Sequence, residues 1–333
     1  MVGLPEAEKL AQRYAMLPEG VRVLAAVSGG VDSISLLHWL HSRGTAVAAA
    51  HLHHGLRGEA ADGDEDFVRR FCALRGIPFF RERGDVAAVA AERGISLEEA
   101  GRVARYDFLE RTAAREGYDR VATAHHADDN AETLLFQLIR GARSGLGGIA
   151  PARGLYIRPL LSTTRAALEA YAEANGLGHR TDEMNGDDAY ARNYLRHQVM
   201  PRLREVNSAA AVHMSDTARQ LRLESAYLDA LAEERLAGGG LRQSPGRVTV
   251  PCKTLNAAPE ALRGRMLRLL LEGLEAGRRD FTARHYAAIE ALCRSPGGKW
   301  LDLPHGVHAE KQGGVLALVR QEPDKEMNQQ KNS

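Results

Sequence analysis

The chain has 333 residues, of which 44% are hydrophobic, and its 44 Lys and Arg nearly balance its 43 Asp and Glu, giving a formal net charge of +1. This length exceeds one ordinary compact domain and the apolar fraction is enough for a sizeable core, so we expect two domains. Because the net charge is so near zero, whole-chain electrostatics give no evidence for a nucleic-acid partner.

The N-terminal segment Met1–Leu17 alternates charged and apolar residues at helical spacing. It therefore lacks the uninterrupted apolar core of a signal peptide or of a membrane span. Three cysteines, Cys72, Cys252 and Cys293, lie far apart, and none belongs to a CxxC pair that would hold zinc or an iron–sulfur cluster. We expect a soluble protein without a membrane partner, in the reduced cytoplasmic compartment.

Strands and helices then alternate along the chain. The apolar run Val21–Val27 stops at a glycine pair and gives way to helical spacing. This alternation predicts an α/β fold with a doubly wound parallel sheet, whose ligands bind beyond the carboxyl ends of the strands. Further strands are predicted in Thr45–Leu52, Ile77–Arg83 and Asp119–His126, and helices in Asp64–Gly76 and Ser96–Gly117.

The strand–helix alternation ends beyond Pro201, and a long helix from about Ala209 to Leu236 is predicted next. We place a domain boundary near Asn207. The expected organisation is a catalytic domain at 1–207, a smaller helical α+β domain at 208–322 and a disordered tail at 323–333. Helices at Thr254–Glu275 and Thr282–Cys293 and strands in the segments WLDL and VLALVR are predicted for the second domain.

Two further segments bear on anion binding. Gly141–Gly154 is rich in glycine and contains two arginines, which suits a mobile flap near an anionic ligand, or equally a disordered loop without function. Arg192 to Arg320 contains 20 Lys and Arg against 13 Asp and Glu, an excess of seven. Solvated helix faces are the alternative explanation of that excess.

The segment SGGVDS places two adjacent glycines where the first strand turns into a helix. Backbone N–H groups there can approach an anion that also feels the helix N-terminus. The segment matches neither GxxxxGK[ST] nor GxGxxG. We interpret it as a phosphate-binding loop, although a tight turn capped by polar side chains is the alternative. Its residues are Ser28, Gly29, Gly30, Val31, Asp32 and Ser33.

Three carboxylates follow a later strand end. Asp128, Asp129 and Glu132 are three and four residues apart, so a helix brings them to one edge near its N-terminus. They could recognise an ammonium or a cation, or simply cap the helix. Asn130 is expected to face solvent.

Histidines and arginines complete the candidate set. His51, His53, His54, His125 and His126 could form a metal site, but hydrogen bonding to a nucleotide or base is favoured because metal-ligand spacing is lacking. Arg192 and Arg196 are four residues apart on one helical face and suit phosphate oxygens of ATP or RNA, or form a solvated basic face.

Several motifs taken together resemble one family. The phosphate-loop motif after the first strand resembles the N-type ATP pyrophosphatases, which have the adenine nucleotide alpha hydrolase-like fold. The full set, in chain order, is similar to the tRNA(Ile)-lysidine synthetase family. The motifs are HLHHGLRG (His51 to Gly58), ARYDFL (Ala104 to Leu109), TAHHADDNAETLLFQLIRG (Thr123 to Gly141), IRPLL (Ile157 to Leu161) and RNYLRHQVMPRL (Arg192 to Leu203).

The resemblance implies an ATP-dependent reaction at the wobble cytidine of the isoleucine tRNA with a CAU anticodon. Adenylation with loss of pyrophosphate comes first, and free L-lysine then displaces AMP. It implies catalytic roles for Asp32, Asp128, Asp129 and Glu132. It also implies that Asp32 is a Mg²⁺ ligand. Substrate or RNA contacts are implied at His51, His54, Arg105, His125, Arg192, Asn193 and Arg196.

Two alternatives stay open from the sequence. A tRNA 2-thiolation enzyme of the same fold would need cysteines for sulfur transfer or for an iron–sulfur cluster. A tRNA-binding protein with a degenerate ATP site is the alternative from another class, although the residues for turnover are present. The sequence does not decide between a monomer and a homodimer.

Overall fold

The computed structural model describes residues 3–53, 59–141, 145–180, 191–274 and 280–320. The chain divides into two compact units, Met1–Arg222 and Leu223–Ser333. The division follows Arg222, within a helix that spans Ala210–Gly238, whereas the sequence placed a boundary near Asn207. The functional roles assigned to the two domains stay predictions, and the tail expected at 323–333 lies outside the described residues.

The first unit is built on a six-stranded sheet in the order β3-β2-β1-β4-β6-β5. All neighbouring pairs are parallel except β5 and β6, which are antiparallel. The predicted strands are therefore confirmed as a parallel-dominated α/β sheet. Their bounds are β1 Arg22–Ala26, β2 Ala46–His53, β3 Phe79–Arg83, β4 Arg120–Ala122, β5 Ala152–Arg153 and β6 Tyr156–Ile157.

Helices cover both faces of this sheet. Successive side chains of a strand point to opposite faces, and the apolar side chains of the first strand are buried on both. Val23 and Ala25 pack in a core with α1, α2 and α7, while Leu24 packs in a second core with α5. The doubly wound architecture is thereby confirmed. The helices are α1 Pro5–Arg13, α2 Val31–Ser42, α3 Glu59–Ala73, α4 Val86–Arg93, α5 Leu97–Glu116, α6 Ala127–Ile139, α7 Arg165–Ala174, α8 Ala191–Tyr194, α9 Met200–Val206 and α10 Ala210–Gly238.

The strand order locates the ligand-binding edge of the sheet. The chain proceeds from β1 outward through β2 and β3, and then returns to place β4 on the other side of β1. The carboxyl ends of β1 and β4 thus flank a topological switch point, where open α/β sheets bind their ligands. The phosphate loop follows β1 and the carboxylate-bearing helix α6 follows β4, so the two predicted motifs meet there.

The second unit contains a five-stranded antiparallel sheet in the order β7-β8-β11-β10-β9. The predicted WLDL and VLALVR strands are confirmed as β9 and β11. The single helix predicted at Thr254–Glu275 is wrong, because the chain breaks at Pro259, which lies at the N-cap of α12. The elements are β7 Arg242–Ser244, β8 Arg247–Pro251, α11 Cys252–Asn256, α12 Glu260–Glu272, α13 Ala283–Arg294, β9 Trp300–Leu303, β10 Val307–Gln312 and β11 Val315–Arg320.

No helix among the described residues combines the length and the apolar character needed to cross a membrane.

Candidate active site

The loop that follows β1 is braced by the hydroxyl of Ser33. Ser33 Oγ donates to the Gly30 carbonyl at 2.9 Å and accepts from the N–H groups of Ser28 and Gly29, each at 3.2 Å. Gly29 has a φ of +100°, a backbone conformation that residues with side chains rarely adopt. The Ser33 hydroxyl, which the sequence suggested as a phosphate donor, is thus engaged within the loop.

The first turn of α2 supplies the donors that remain for an anion. Gly30 is the N-cap, and no side chain caps this helix. The N–H groups of Val31, Asp32 and Ser33 therefore have no acceptor within the helix. Together with the positive end of the helix dipole, they form a site suited to phosphate.

Asp32 has one paired and one unpaired carboxylate oxygen. Its Oδ2 accepts from Arg165 Nη1 at 2.8 Å and lies 3.7 Å from His126 Nε2. Its Oδ1 is buried and has no hydrogen-bond partner among the described residues. Burial raises the pKa of Asp32, although His126 and Arg165 oppose that shift. A hard cation at Oδ1 would satisfy the unpaired oxygen, so this carboxylate fits the Mg²⁺ implied by the resemblance.

The three carboxylates of α6 are buried, and each is paired with an arginine from a distant part of the sequence. Arg204 Nη2 donates to Asp128 Oδ1 at 2.6 Å. Arg196 Nη2 donates to Asp129 Oδ1 at 2.9 Å, and Arg196 Nε donates to Glu132 Oε1 at 2.8 Å. Glu132 is only 3% exposed. Because an unpaired buried charge costs about 3–5 kcal/mol, these ion pairs are needed wherever the carboxylates stay ionised.

Arg196 joins two of the carboxylates through a single guanidinium. Besides its bonds to Asp129 and to Glu132 Oε1, its Nη2 lies 3.0 Å from Glu132 Oε2. It lies on a π-helical turn, Leu195–Val199, and such turns occur often at functional sites. Arg192 approaches the same Glu132 oxygen at 3.5 Å. The contacts of Arg192 and Arg196 with phosphate stay predictions, since in this structure both arginines face carboxylates.

The helix-capping explanation of the carboxylates holds in part. Asp129 Oδ2 accepts the backbone N–H of His126 at 3.0 Å, so its side chain binds the N-cap residue at the start of α6. Burial would raise the pKa of Asp129, but the neighbouring histidines, the bond from the His126 N–H and the charge of Arg196 together outweigh it and hold that pKa below its usual value. Burial likewise acts against the ionised form of Asp128, whose pKa is nevertheless lowered by bonds from His126, the Arg165 N–H and Arg204. Both aspartates are therefore ionised at neutral pH.

His126 lies at the centre of the carboxylates. Its ring nitrogens are 3.7 Å from Asp32, 3.5 Å from Asp128 and 3.4 Å from Asp129. Burial by itself would lower the pKa of His126, but the three surrounding carboxylates raise it. The sequence grouped His126 with the other histidines, because spacing along the chain does not reveal that Asp32 reaches it from another strand end.

The other predicted histidines are placed separately. His51 Nδ1 donates to the Val27 carbonyl at 2.8 Å, so it supports the phosphate loop from β2. His125 Nδ1 lies 2.9 Å from Thr123 Oγ1, and burial lowers the pKa of His125 to about 4. His54 lies outside the described residues. Among the residues that the structure describes, no group of His, Cys, Asp and Glu side chains is arranged to hold a metal ion.

Two predicted RNA contacts lie on helices. Arg105 is on the solvent-exposed side of α5, and Asn193 is half-buried on α8, one residue after Arg192. The contacts of Asn193 and of Arg105 with substrate stay predictions.

Asn130 does not face solvent as the sequence suggested. It is 2% exposed, its Nδ2 donates to Ser215 Oγ at 2.8 Å, and its Oδ1 accepts from the Ile149 N–H at 2.7 Å. In the sequence, Asn130 lies between Asp129 and Glu132 on α6. The sequence does not show that the glycine-rich segment packs against it in the folded chain. A Cβ at Gly148 would lie 2.2 Å from Asn130 Oδ1, so only glycine fits this close approach.

The described end of the glycine-rich segment is held to the first unit. Gly148 N–H donates to Gln137 Oε1 at 3.0 Å, and Arg222 Nη2 donates to the carbonyls of Gly147 and, at 2.6 Å, of Ile149. The flap expected from Gly141–Gly154 therefore has a fixed end at 147–149. Residues 142–144 lie outside the described part of the chain.

Replacement of Asn130 by alanine is expected to lower the free energy of unfolding by about 1–3 kcal/mol, because the Ile149 N–H and the Ser215 hydroxyl would lose a buried partner. Urea unfolding followed by circular dichroism measures this. Glu173→Ala, at an exposed position of α7, is the control and should change the value by less than about 0.5 kcal/mol. An equally small change in Asn130→Ala would show that these two bonds do not hold the segment.

This chain is similar to known proteins along most of its length. The family described as the PP-loop domain matches residues 5–203. The tRNA(Ile)-lysidine synthase of Geobacter sulfurreducens is 39% identical over 319 residues, which cover 93% of this chain and 68% of that protein. That of Thermus thermophilus is 40% identical over 301 residues, covering 90% of this chain and 57% of that protein. The chain thus spans about two thirds of the first relative and less of the second.

A solved structure supports the fold. The U34-tRNA thiolase NcsA of Methanococcus maripaludis, described with its [4Fe-4S] cluster, aligns with a TM-score of 0.55 at 18% identity. The alignment covers 65% of this chain and 78% of the thiolase. At this identity the likeness is one of fold only.

Proposed function

Since the chain belongs to the tRNA(Ile)-lysidine synthase family of PP-loop proteins, we propose that it joins L-lysine to C2 of the wobble cytidine in CAU-anticodon isoleucine tRNA. In the first step the cytidine O2 bonds to the α-phosphorus of ATP and pyrophosphate leaves. In the second, the lysine amine bonds to C2 and AMP leaves with that oxygen. The observation that carries the proposal is the meeting of the phosphate loop with the carboxylate cluster at the β1/β4 switch point.

The phosphate loop serves the first step. The N–H groups at the start of α2 are fixed before substrate arrives, so they can stabilise charge that develops on leaving pyrophosphate without reorganising. Bound Mg²⁺ would supply further charge neutralisation on the phosphates, and Asp32 would hold it through its unpaired Oδ1. Arg165 keeps the other oxygen of Asp32 in place.

The carboxylates Asp129 and Glu132 serve the second step by holding the ammonium of lysine. The lowered pKa of Asp129 keeps it ionised, which suits an ammonium ligand. The same low pKa makes it a weak base, so we assign it the role of holding the cation and not that of accepting its proton.

Incubation of the protein with ATP, Mg²⁺, labelled L-lysine and tRNA transcripts that differ only in the wobble base tests this function. Label should enter only the transcript with cytidine at the wobble position, with stoichiometric release of AMP and pyrophosphate. Pyrophosphate release without label transfer would favour another acceptor chemistry. The absence of both products would favour the tRNA-binding alternative.

The names of the relatives favour lysine ligation over tRNA thiolation. We keep a reduced cytoplasmic location as part of the proposal, because Cys72, Cys252 and Cys293 are all buried free thiols.

We also propose that the second unit contributes tRNA affinity and not chemistry, because the candidate reactive residues lie in the first unit, whereas Leu223 to Arg320 carries 14 Lys and Arg against 11 Asp and Glu, an excess that suits phosphate contacts. A chain ending at Arg222 is expected to bind tRNA at least about tenfold more weakly than the full chain. Binding by the full chain should weaken as salt rises, since phosphate contacts release counterions.

Filter binding at several salt concentrations measures both effects, with circular dichroism to verify that the shortened chain is folded. The cut follows Arg222 because Arg222 and Ala218 pack with the first unit. A folded, shortened chain that binds tRNA as tightly as the full chain would contradict this role.

A further inference from the structure

The two carboxylates proposed to hold lysine already hold a cation. The guanidinium of Arg196 forms ion pairs with both Asp129 and Glu132, at 2.9 and 2.8 Å. Asp129 and Glu132 are almost fully buried, so the acidic pair is largely shielded from water. An ammonium that arrives at these oxygens must therefore compete with Arg196.

Arg196 also lies near the phosphate loop. Its partner Asp129 and the loop residue Asp32 flank the same ring nitrogen, His126 Nε2, at 3.4 and 3.7 Å, and Asp32 and Arg196 contribute to each other's charge environment. The nucleotide phosphates would sit beside Asp32, at the N–H groups of the same helix turn. A guanidinium released from Asp129 and Glu132 would thus have a second anionic partner close by, and guanidinium binds phosphate well in a bidentate manner.

We propose that Arg196 exchanges partners during the reaction: it pairs with Asp129 and Glu132 in the empty site, and it moves to the nucleotide phosphates when the ammonium of lysine replaces it. This inference rests on the proposed function, because it needs lysine at those two carboxylates. The exchange replaces one cation by another while Arg192 stays beside Glu132, so the charge on the buried pair is the same in each state and no additional buried charge is left uncompensated.

The exchange makes lysine and ATP assist each other in binding. Lysine releases the guanidinium that ATP attracts, and ATP removes the competitor that lysine must displace. Such coupling is reciprocal by thermodynamic necessity, and it commonly amounts to about 5- to 150-fold in affinity. The competition also predicts that lysine alone binds the empty enzyme weakly, because the empty site is occupied by the protein's own cation.

Titration calorimetry on the full chain tests the exchange, with L-lysine as the ligand and α,β-methylene ATP with Mg²⁺ as the unreactive nucleotide. In the wild type, lysine is expected to bind about tenfold tighter when the nucleotide analogue is present. In Arg196→Ala, lysine should bind the nucleotide-free enzyme more tightly than it binds the nucleotide-free wild type, and the analogue should no longer change its affinity.

Arg196→Gln is the second variant, because its amide can still donate to Glu132 and so protects the fold if alanine does not. It should lose the coupling in the same way. Arg202→Ala is the matched control, since Arg202 is an exposed arginine that pairs with the exposed Glu205. The control should keep the tenfold coupling.

Weaker lysine binding to the nucleotide-free Arg196 variants than to the nucleotide-free wild type would overturn the inference, because it would mean that Arg196 helps to hold lysine. Coupling that persists in both variants would overturn it as well. In either case, the proposed function would still be supported if the wild-type protein binds lysine. An absence of lysine binding and of lysine transfer in the wild type would instead overturn the proposed function, and the inference with it.

Discussion

Asp129→Asn is expected to lower lysine transfer about 30- to 4,000-fold, the loss that follows from removing one partner of a buried charge pair, while tRNA affinity stays within about twofold of the wild type. An amide occupies the same volume but cannot replace the charge that attracts an ammonium, and carboxylates repel RNA phosphates, so they do not add to tRNA affinity. The loss should appear in single-turnover transfer of labelled lysine.

The fate of the adenylate locates the step at which Asp129 acts. If Asp129 serves the amine, adenylated tRNA should accumulate in Asp129→Asn, and mass spectrometry of the digested tRNA would detect it. A defect without adenylate would move Asp129 to the adenylation step. Glu173→Gln is the control, because Glu173 is an exposed carboxylate of α7. Wild-type transfer in Asp129→Asn would remove the cluster from the site.

The double variant Ser28→Ala with Asp32→Ala is expected to lower tRNA-dependent pyrophosphate release by about 10²- to 10³-fold and to keep the fold. Ser28 Oγ lies 3.3 Å from Ser33 Oγ at the phosphate loop, and Asp32 provides the unpaired oxygen suited to Mg²⁺. A coupled pyrophosphate assay gives the rate, and circular dichroism verifies the fold.

Ser35→Ala supplies a control for the same helix, because Ser35 is fully buried and its hydroxyl has no hydrogen-bond partner among the described residues. It should leave pyrophosphate release near the wild-type rate. Unchanged release in the double variant would contradict the phosphate-loop interpretation.

The parts of the fold that depend on local pattern could be predicted from the sequence. The buried strands β1 and β2 are nearly continuous apolar runs because both faces of a parallel sheet are covered. The loop at Ser28 and the carboxylates of α6 followed from their positions at strand ends. Pro259 itself indicates a break, since a proline cannot continue a helix. The apolar spacing on either side of it nevertheless favoured a single helix.

The pairing within the site could not be predicted, because it depends on contacts between distant residues. Arg196 and Glu132 are 64 residues apart, and helical spacing shows that both lie on helices without showing that the helices face each other. Alone, Arg196 resembled a phosphate ligand and Glu132 an ammonium ligand. The burial of Asn130 was hidden for the same reason, since the segment that covers it lies 18 residues beyond, at Gly148.

The arginine–carboxylate network affects how polyanions reach the site. Asp128, Asp129 and Glu132 are matched by Arg192, Arg196 and Arg204, so these six side chains sum to zero formal charge. The field of such a compact neutral group falls steeply with distance, and solvent ions screen what is left beyond about 10 Å. ATP and tRNA approaching from solution therefore meet no long-range repulsion from three buried acids. Their encounter rates are left to diffusion and to the charges on the rest of the protein surface.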